Sequence, residues 1–315
     1  MSSTLYLGAD VGKENIVFWD RHTHTLSTVP NRKTNLNAYL RHHPDRVVVL
    51  EATGGYEAVL IACALQTRLT LYRVTPSRAR AFAHASGQLA KTDALDAQIL
   101  AAYACTHHAD LHPYQPPSET SNNLRKLTRR RDELIAMRTQ ERNRLQAPDN
   151  MPLRASIRTV LACLERQIAS IEAAIAQTVA QAPSLAQTIK TLEAVAGVGN
   201  TTAVNLIAAM PELGSLTGKA VAALAGLAPH PRSSGQKTGY RRTGTSGRTS
   251  VRRILFMATM TATRYNPCIR TFYQRLIANG KKTMLALTAC ARKLLVILNA
   301  KLRDARLNQP ALQQS

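Results

Sequence analysis

The chain has 315 residues, enough for two domains with separate cores. Its 45% hydrophobic content, with one Trp and four Phe, is that of an Ala/Leu-rich helical protein. A formal charge of +22 exceeds what solubility asks for and points to a polyanionic partner, because Lys and Arg displace counterions from phosphates. The five cysteines are odd in number and include no C-x-x-C pair, which excludes a disulfide framework. No signal peptide and no apolar run of membrane-spanning length stand out, so no membrane is expected and the expected compartment is the cytoplasm, at the nucleoid.

The charge is unevenly placed. Residues 1–115 carry 11 basic and 9 acidic residues, whereas residues 116–315 carry 30 and 10. From Leu213 onward 18 basic residues face one acid, Asp304. Nearly half of the acids thus lie in the first third of a protein expected to bind phosphates, and a bound divalent cation would account for them.

In chain order, Leu5–Asp10 reads as a strand ending on a carboxylate, followed by a Gly12-Lys13 turn, a strand at Asn15–Trp19 and a third near Leu26–Val29. A helix is expected over Thr34–His43. Arg46–Glu51 is a β-branched strand that also ends on a carboxylate. A helix (Tyr56–Gln66), a strand (Thr70–Val74) and helical stretches through Tyr103 follow. A strand meander followed by alternating helix and strand predicts an α/β fold of the ribonuclease-H type. Asp93 and Asp96, three apart, share one helix face. If their strands are neighbours, Asp10 and Glu51 share one sheet edge, and the four carboxylates then form a set that wants divalent cations between them, as in two-metal phosphodiester chemistry. In Cys105–His112 the adjacent His107 and His108 point apart on a helix, and no zinc site is expected there.

The Pro-rich stretch His112–Ser118 marks a boundary. Beyond it, Glu119–Gln146 and Leu153–Gln181 read as a helical hairpin. Apolar Ile157, Val160, Leu161, Leu164, Ile168, Ile171 and Ile175 suit either a coiled-coil dimer contact or packing within one chain. The remainder, from Ser184, is helical apart from a polar, glycine-rich interruption at Pro229–Gly247. The expected domains are residues 1–115, 116–183 and 184–315.

Gly197-Val-Gly199 reads either as the turn of a helix–hairpin–helix, whose glycines would let backbone amides approach a phosphate, or as a plain turn between two helices. Ser233 and Ser234 are expected in a flexible loop rimmed by Arg232, Lys237, Arg241, Arg242 and Arg248, with Arg252 and Arg253 following. A serine among cations suits attack on a phosphodiester. By composition alone the same stretch is an ordinary loop.

Gly8-x-Asp10-x-x-Lys13, Glu51-Ala-Thr-Gly-Gly-Tyr56, Lys91-Thr-Asp93-x-x-Asp96-Ala, Gly197-Val-Gly199, and Gly226-Leu-x-Pro229 with Ser-Ser-Gly235 and Arg252-Arg253 occur in one order and spacing. Together they resemble the insertion-sequence one-ten transposases, relatives of the Piv/MooV DNA invertases, over essentially the whole chain. The resemblance implies a RuvC-like DEDD domain in which Asp10, Glu51, Asp93 and Asp96 bind Mg²⁺, with Mn²⁺ as a possible substitute. It implies a coiled-coil segment and a C-terminal domain whose nucleophile, five residues after Pro229, is Ser234. It also implies a phosphoserine intermediate on double-stranded DNA and a structured bridge RNA that chooses the sites. Dimers would assemble into a tetramer on DNA, the carboxylates of one subunit meeting the serine of another. Lys13 and the basic residues named above are the expected nucleic-acid contacts. The competing readings are a RuvC-like junction nuclease that uses water, and a non-catalytic nucleic-acid scaffold. The scarcity of aromatics argues against base stacking as the main contact.

Overall fold

The computed structural model describes residues 4–52, 54–88, 90, 92–234, 237–241 and 247–307. Lys91, Gly235 and Arg242, singled out in the sequence, lie outside the described residues. The chain divides into two compact units, 1–116 and 117–315.

The first unit is a five-stranded mixed sheet with helices on both faces. Strands β1 (Leu5–Val11), β2 (Asn15–Asp20) and β3 (Thr25–Pro30) form an antiparallel meander, and β4 (Arg46–Glu51) and β5 (Leu71–Val74) run parallel to β1, giving the order β3-β2-β1-β4-β5. Side chains alternate between the faces of each strand. Leu7, Ala9 and Val11 of β1, with Val48 and Leu50 of β4, join the core under helices α1 (Lys33–Arg41) and α2 (Ala58–Gln66). Tyr6 and Val49 look the other way, toward α3 (Pro76–Ala85) and α4 (Asp93–Thr106). That parity puts Asp10 and Glu51 on the α4 side. Parallel register pairs Gly8 with Val49 and Ala9 with Leu50, and one step further sets Asp10 beside Glu51.

Gly8 explains how closely α4 lies on the sheet. A Cβ there would stand 2.0 Å from the Ala97 carbonyl oxygen and 2.9 Å from the Ala101 nitrogen. The small Ala97, Ala101 and Ala104 face this contact fully or nearly buried. The helix backbone therefore touches the strand, which only glycine permits.

Among its described residues the second unit is helical except for one hairpin. Helices α5 (Glu119–Gln146) and α6 (Arg154–Ala180) pack on one another within the chain, burying Leu124, Leu134, Ile157, Leu161, Ile168 and Ile175. Leu124 and Ile175 continue into the core built by α7 (Pro183–Glu193), α8 (Asn200–Ala209), α9 (Gly218–Leu224), α10 (Thr249–Tyr265), α11 (Pro267–Ala278) and α12 (Thr283–Leu307). Helix α12 is long and apolar enough to cross a membrane, contrary to the expectation from the sequence. Leu287, Leu294, Leu295, Leu298 and Leu302 on it are buried in the core, so its apolarity serves packing.

Residues 230–234 and 237–241, expected within a flexible loop, are instead paired. Strand β6 (His230–Ser234) runs antiparallel to β7 (Lys237–Arg241), and Ser234 is paired with Lys237 at the end of the ladder.

Candidate active site

Asp10 and Glu51 end adjacent strands, and Asp93 and Asp96 occupy the first turn of α4. All four line one cavity of about 480 Å³. Each placement has a local cause. Thr92 caps α4, its Oγ1 accepting from the Leu95 amide at 3.3 Å, and the positive end of the helix dipole favours acids in that first turn. The Gly8 contact seats α4 on β1, and the sheet register sets Asp10 next to Glu51.

The loops leaving the two strands are joined. Asn31 donates from Nδ2 to the Gly12 carbonyl at 3.0 Å, after β1, and to the Tyr56 carbonyl at 3.1 Å, after β4. Buried Glu57 secures the second loop. It accepts from the Gly55 amide at 2.8 Å and from Arg73 Nη2 of β5 at 2.7 Å. Neither Asn31 nor Glu57 stood out in the sequence, because a lone Asn and an acid beside a Gly-Gly turn read as loop composition. Arg80 and His84 of α3 also line the carboxylate cavity. Their i, i+4 spacing was the available signal.

Oxygen donors of this kind suit a hard divalent cation, and the four carboxylates fit one by chemistry and by sharing a cavity. Among the described residues no three acidic, His or Cys side chains are gathered closely enough to hold a metal ion as they stand. Lys13 is exposed at the β1–β2 turn and does not line the cavity.

In the second unit, the two glycines of the Gly197-Val-Gly199 turn differ. Gly197 has φ +95°, and a Cβ there would come within 2.6 Å of Ala262 Cα on α10, so close packing of α10 accounts for it. Gly199 begins α8 with open space around it.

Both ends of the β6–β7 hairpin share one root. A Cβ on Gly247 (φ +90°) would lie 2.4 Å from the Gly226 nitrogen. The Arg248 amide donates to the Leu224 carbonyl at 3.1 Å, and Arg252 Nη1 to the Ala225 carbonyl at 3.2 Å. The Arg248 guanidinium grips Glu212 with two bonds of 2.6 and 2.7 Å and donates to the Ala209 carbonyl at 2.9 Å. Burial raises the Glu212 pKa, but Arg248 and a backbone amide outweigh it and hold the carboxyl below its ordinary value. The turn beyond Glu212 is pinned by buried Asn299, which accepts from the Gly214 amide and donates to the Leu216 carbonyl, both at 2.8 Å. Arg248, expected at the nucleic acid, is thus bonded to Glu212 and the Ala209 carbonyl while remaining one third exposed. Arg253 pairs with Asp132 at 2.7 Å yet stays exposed.

Comparison with known families matches residues 7–148 to a DEDD transposase model described as "Transposase", and residues 189–274 to "Transposase IS116/IS110/IS902 family". The chain belongs to the IS110 family of transposases. It is 28% identical to the pilin gene-inverting protein of Moraxella bovis, over 97% of this chain and 98% of that one. The protein of the same name from Moraxella lacunata is 27% identical, over the same shares. The insertion element IS900 uncharacterized 42 kDa protein of Mycobacterium paratuberculosis is 26% identical, over 83% of this chain and 84% of that one. The chain is accordingly a DNA recombinase of the transposase class, with a RuvC-like DEDD domain at its N-terminus and a mainly helical remainder.

Proposed function

We propose that this transposase excises and inserts a mobile element by attack of Ser234 on a DNA phosphodiester, assisted at Asp10, Glu51, Asp93 and Asp96. The observation that carries the proposal is the convergence of four carboxylates, from two strands and a helix, on one cavity. Those residues would hold divalent cations, Mg²⁺ in the first place with Mn²⁺ able to substitute. When bound, such ions neutralise charge on the attacking and leaving oxygens. The chain's part is to fix that geometry through Gly8, Thr92, Asn31 and Glu57, and to present Ser234 at the end of a hairpin with a clamped root.

In the proposed step the Ser234 oxygen bonds to phosphorus, the phosphorus bond to the leaving strand oxygen breaks, and the serine proton is passed to solvent. The DNA stays attached as a phosphoserine ester, which the returning strand hydroxyl resolves without an external energy source. Arg232, Lys237, Arg241 and Arg242 would stabilise charge around the phosphate. Subunits assembling from dimers to a tetramer on DNA would let the serine of one serve the carboxylates of another. Met137, Met151, Leu153 and Val160, on and between α5 and α6, are exposed apolar side chains that would be available to that assembly. A structured bridge RNA would choose the sites, leaving the protein to read shape and backbone, for which its basic second unit is suited. The reaction would take place in the cytoplasm, at the nucleoid.

The test is denaturing-gel detection of a protein–DNA adduct. Wild-type protein should form it, while Ser234→Ala, Asp10→Asn and Asp96→Asn should not. Strand scission by wild type without any adduct would favour hydrolysis by water.

A further inference from the structure

The carboxylate cavity has a second wall. Helix α3 turns Arg80 and His84 into the same space as Asp10, Glu51, Asp93 and Asp96, with Gln88 just beyond its end. Both side chains are exposed, and among the described residues neither forms an ion pair or hydrogen bond. Other arginines of this unit that meet acids are fully committed: Arg46 to Asp20 at 2.8 Å and Arg73 to Glu57 at 2.7 Å. Arg80 stands at the largest gathering of carboxylates in the unit and pairs with no described one of them.

We infer that Arg80 and His84 form a clamp for the backbone phosphate of the DNA strand being cut. This rests on the reading of the carboxylates as the reaction centre. Four carboxylates alone repel a phosphodiester, and cations held between them offset chiefly the carboxylates' own charge. The charge of the substrate phosphate then requires a donor on the opposite wall. An arginine fork matches two non-bridging phosphate oxygens, which a lysine cannot do. His84, one helical turn on, lies on the same face and donates a ring N–H to the same or the neighbouring phosphate, a contact that a neutral imidazole makes. Ala79 and Ala83 on the cavity side of α3 leave room for the strand.

The experiment follows strand scission, a product that both serine attack and hydrolysis give, so its outcome is separable from the Ser234 adduct test. The full-length protein is used with DNA carrying either a normal linkage or an uncharged methylphosphonate at the cut site. On normal DNA, Arg80→Ala should slow scission about 10²-fold, with partial recovery in Arg80→Lys. His84→Ala should slow it less, and His84→Gln should retain most of the rate through its amide N–H. On methylphosphonate DNA, Arg80→Ala and wild type should become nearly equal, because the contact that the mutation removes has lost its charge. Binding to uncut DNA in EDTA should show a salt dependence shallower by about one counterion in Arg80→Ala. Both side chains are exposed, so melting temperature should not move. An unchanged scission rate in Arg80→Ala, or an equal penalty on the two DNAs, would overturn the assignment.

Discussion

Replacing Gly8 by alanine tests whether the contact between α4 and β1 sets the carboxylate geometry. The new Cβ would sit 2.0 Å from the Ala97 carbonyl oxygen, where real Cβ atoms essentially never come closer than 3.0 Å. Both obstacles, Ala97 O and Ala101 N, are backbone, so no side chain can rotate away. Helix α4 must therefore retreat by at least about 1 Å, carrying Asp93 and Asp96 away from Asp10. Overpacking of this kind costs roughly 1–3 kcal/mol, which should lower the melting temperature by several degrees. A displacement of ~1 Å at a reaction centre costs on the order of 10²-fold in rate. Strand scission and thermal unfolding of the Gly8→Ala protein are measured side by side, with scission assayed well below the melting transition. A folded variant that cuts at the wild-type rate would refute the claim that this contact positions the acids.

The root of the serine hairpin predicts a thermodynamic coupling. Arg248→Ala and Glu212→Gln should destabilise by roughly 1 kcal/mol each, a modest figure because both side chains are about a third exposed and water screens the pair. The double variant should cost little more than either single one, and Arg248→Ala should leave the salt dependence of DNA binding unchanged. A slope reduced by about one counterion would instead return Arg248 to the DNA. In the first unit, burial raises the Asp20 pKa, but Arg46 and the His22 and Thr23 amides outweigh it and hold the group below its ordinary value. A carboxylate with a depressed pKa contributes stability above its unfolded value near 4, and that stability is lost as pH falls through the folded value. Wild type should therefore lose stability on acidification below about pH 4. Asp20→Asn should remove that part of the pH dependence and cost ~3–5 kcal/mol near neutrality by stranding the mostly buried Arg46. An unchanged acid limb in the variant would show that another group is responsible.

The first unit was largely legible in the sequence because its signals are local. A β-branched run ending on an acid gives both the strand and the place of the carboxylate, and the three-residue spacing of Asp93 and Asp96 puts both on one helix face. The α5–α6 pair was legible as helices, but the sequence left its partner open; in the structure the apolar stripe packs largely within the chain. Strands 230–234 and 237–241 were not legible, since Pro, Ser, Gly and Arg have little strand propensity and only cross-strand pairing reveals the ladder. Arg248 and Gly197 show a second limit. The sequence displays a charge and a glycine, yet Glu212 lies 36 residues away and Ala262 lies 65 away. Which partner absorbs a charge or requires a missing Cβ is decided by tertiary packing, and spacing along the chain carries no trace of it.

The acid excess of the first third divides on the same ground. Asp20 and Glu57 are buried, and each is neutralised by an arginine across the sheet or loop. They belong to the scaffold, although by composition they counted toward a cation site. What distinguishes Asp10, Glu51, Asp93 and Asp96 is that they face one space together. Burying a charge without compensation is prohibitive, so the fold encloses acids only where it supplies a guanidinium. Acids that share a cavity are the ones open to a ligand from outside the chain. Arg80 obeys the same logic with the sign reversed: it faces that cavity from the other wall and is paired with no described acid, as a group reserved for the phosphate would be.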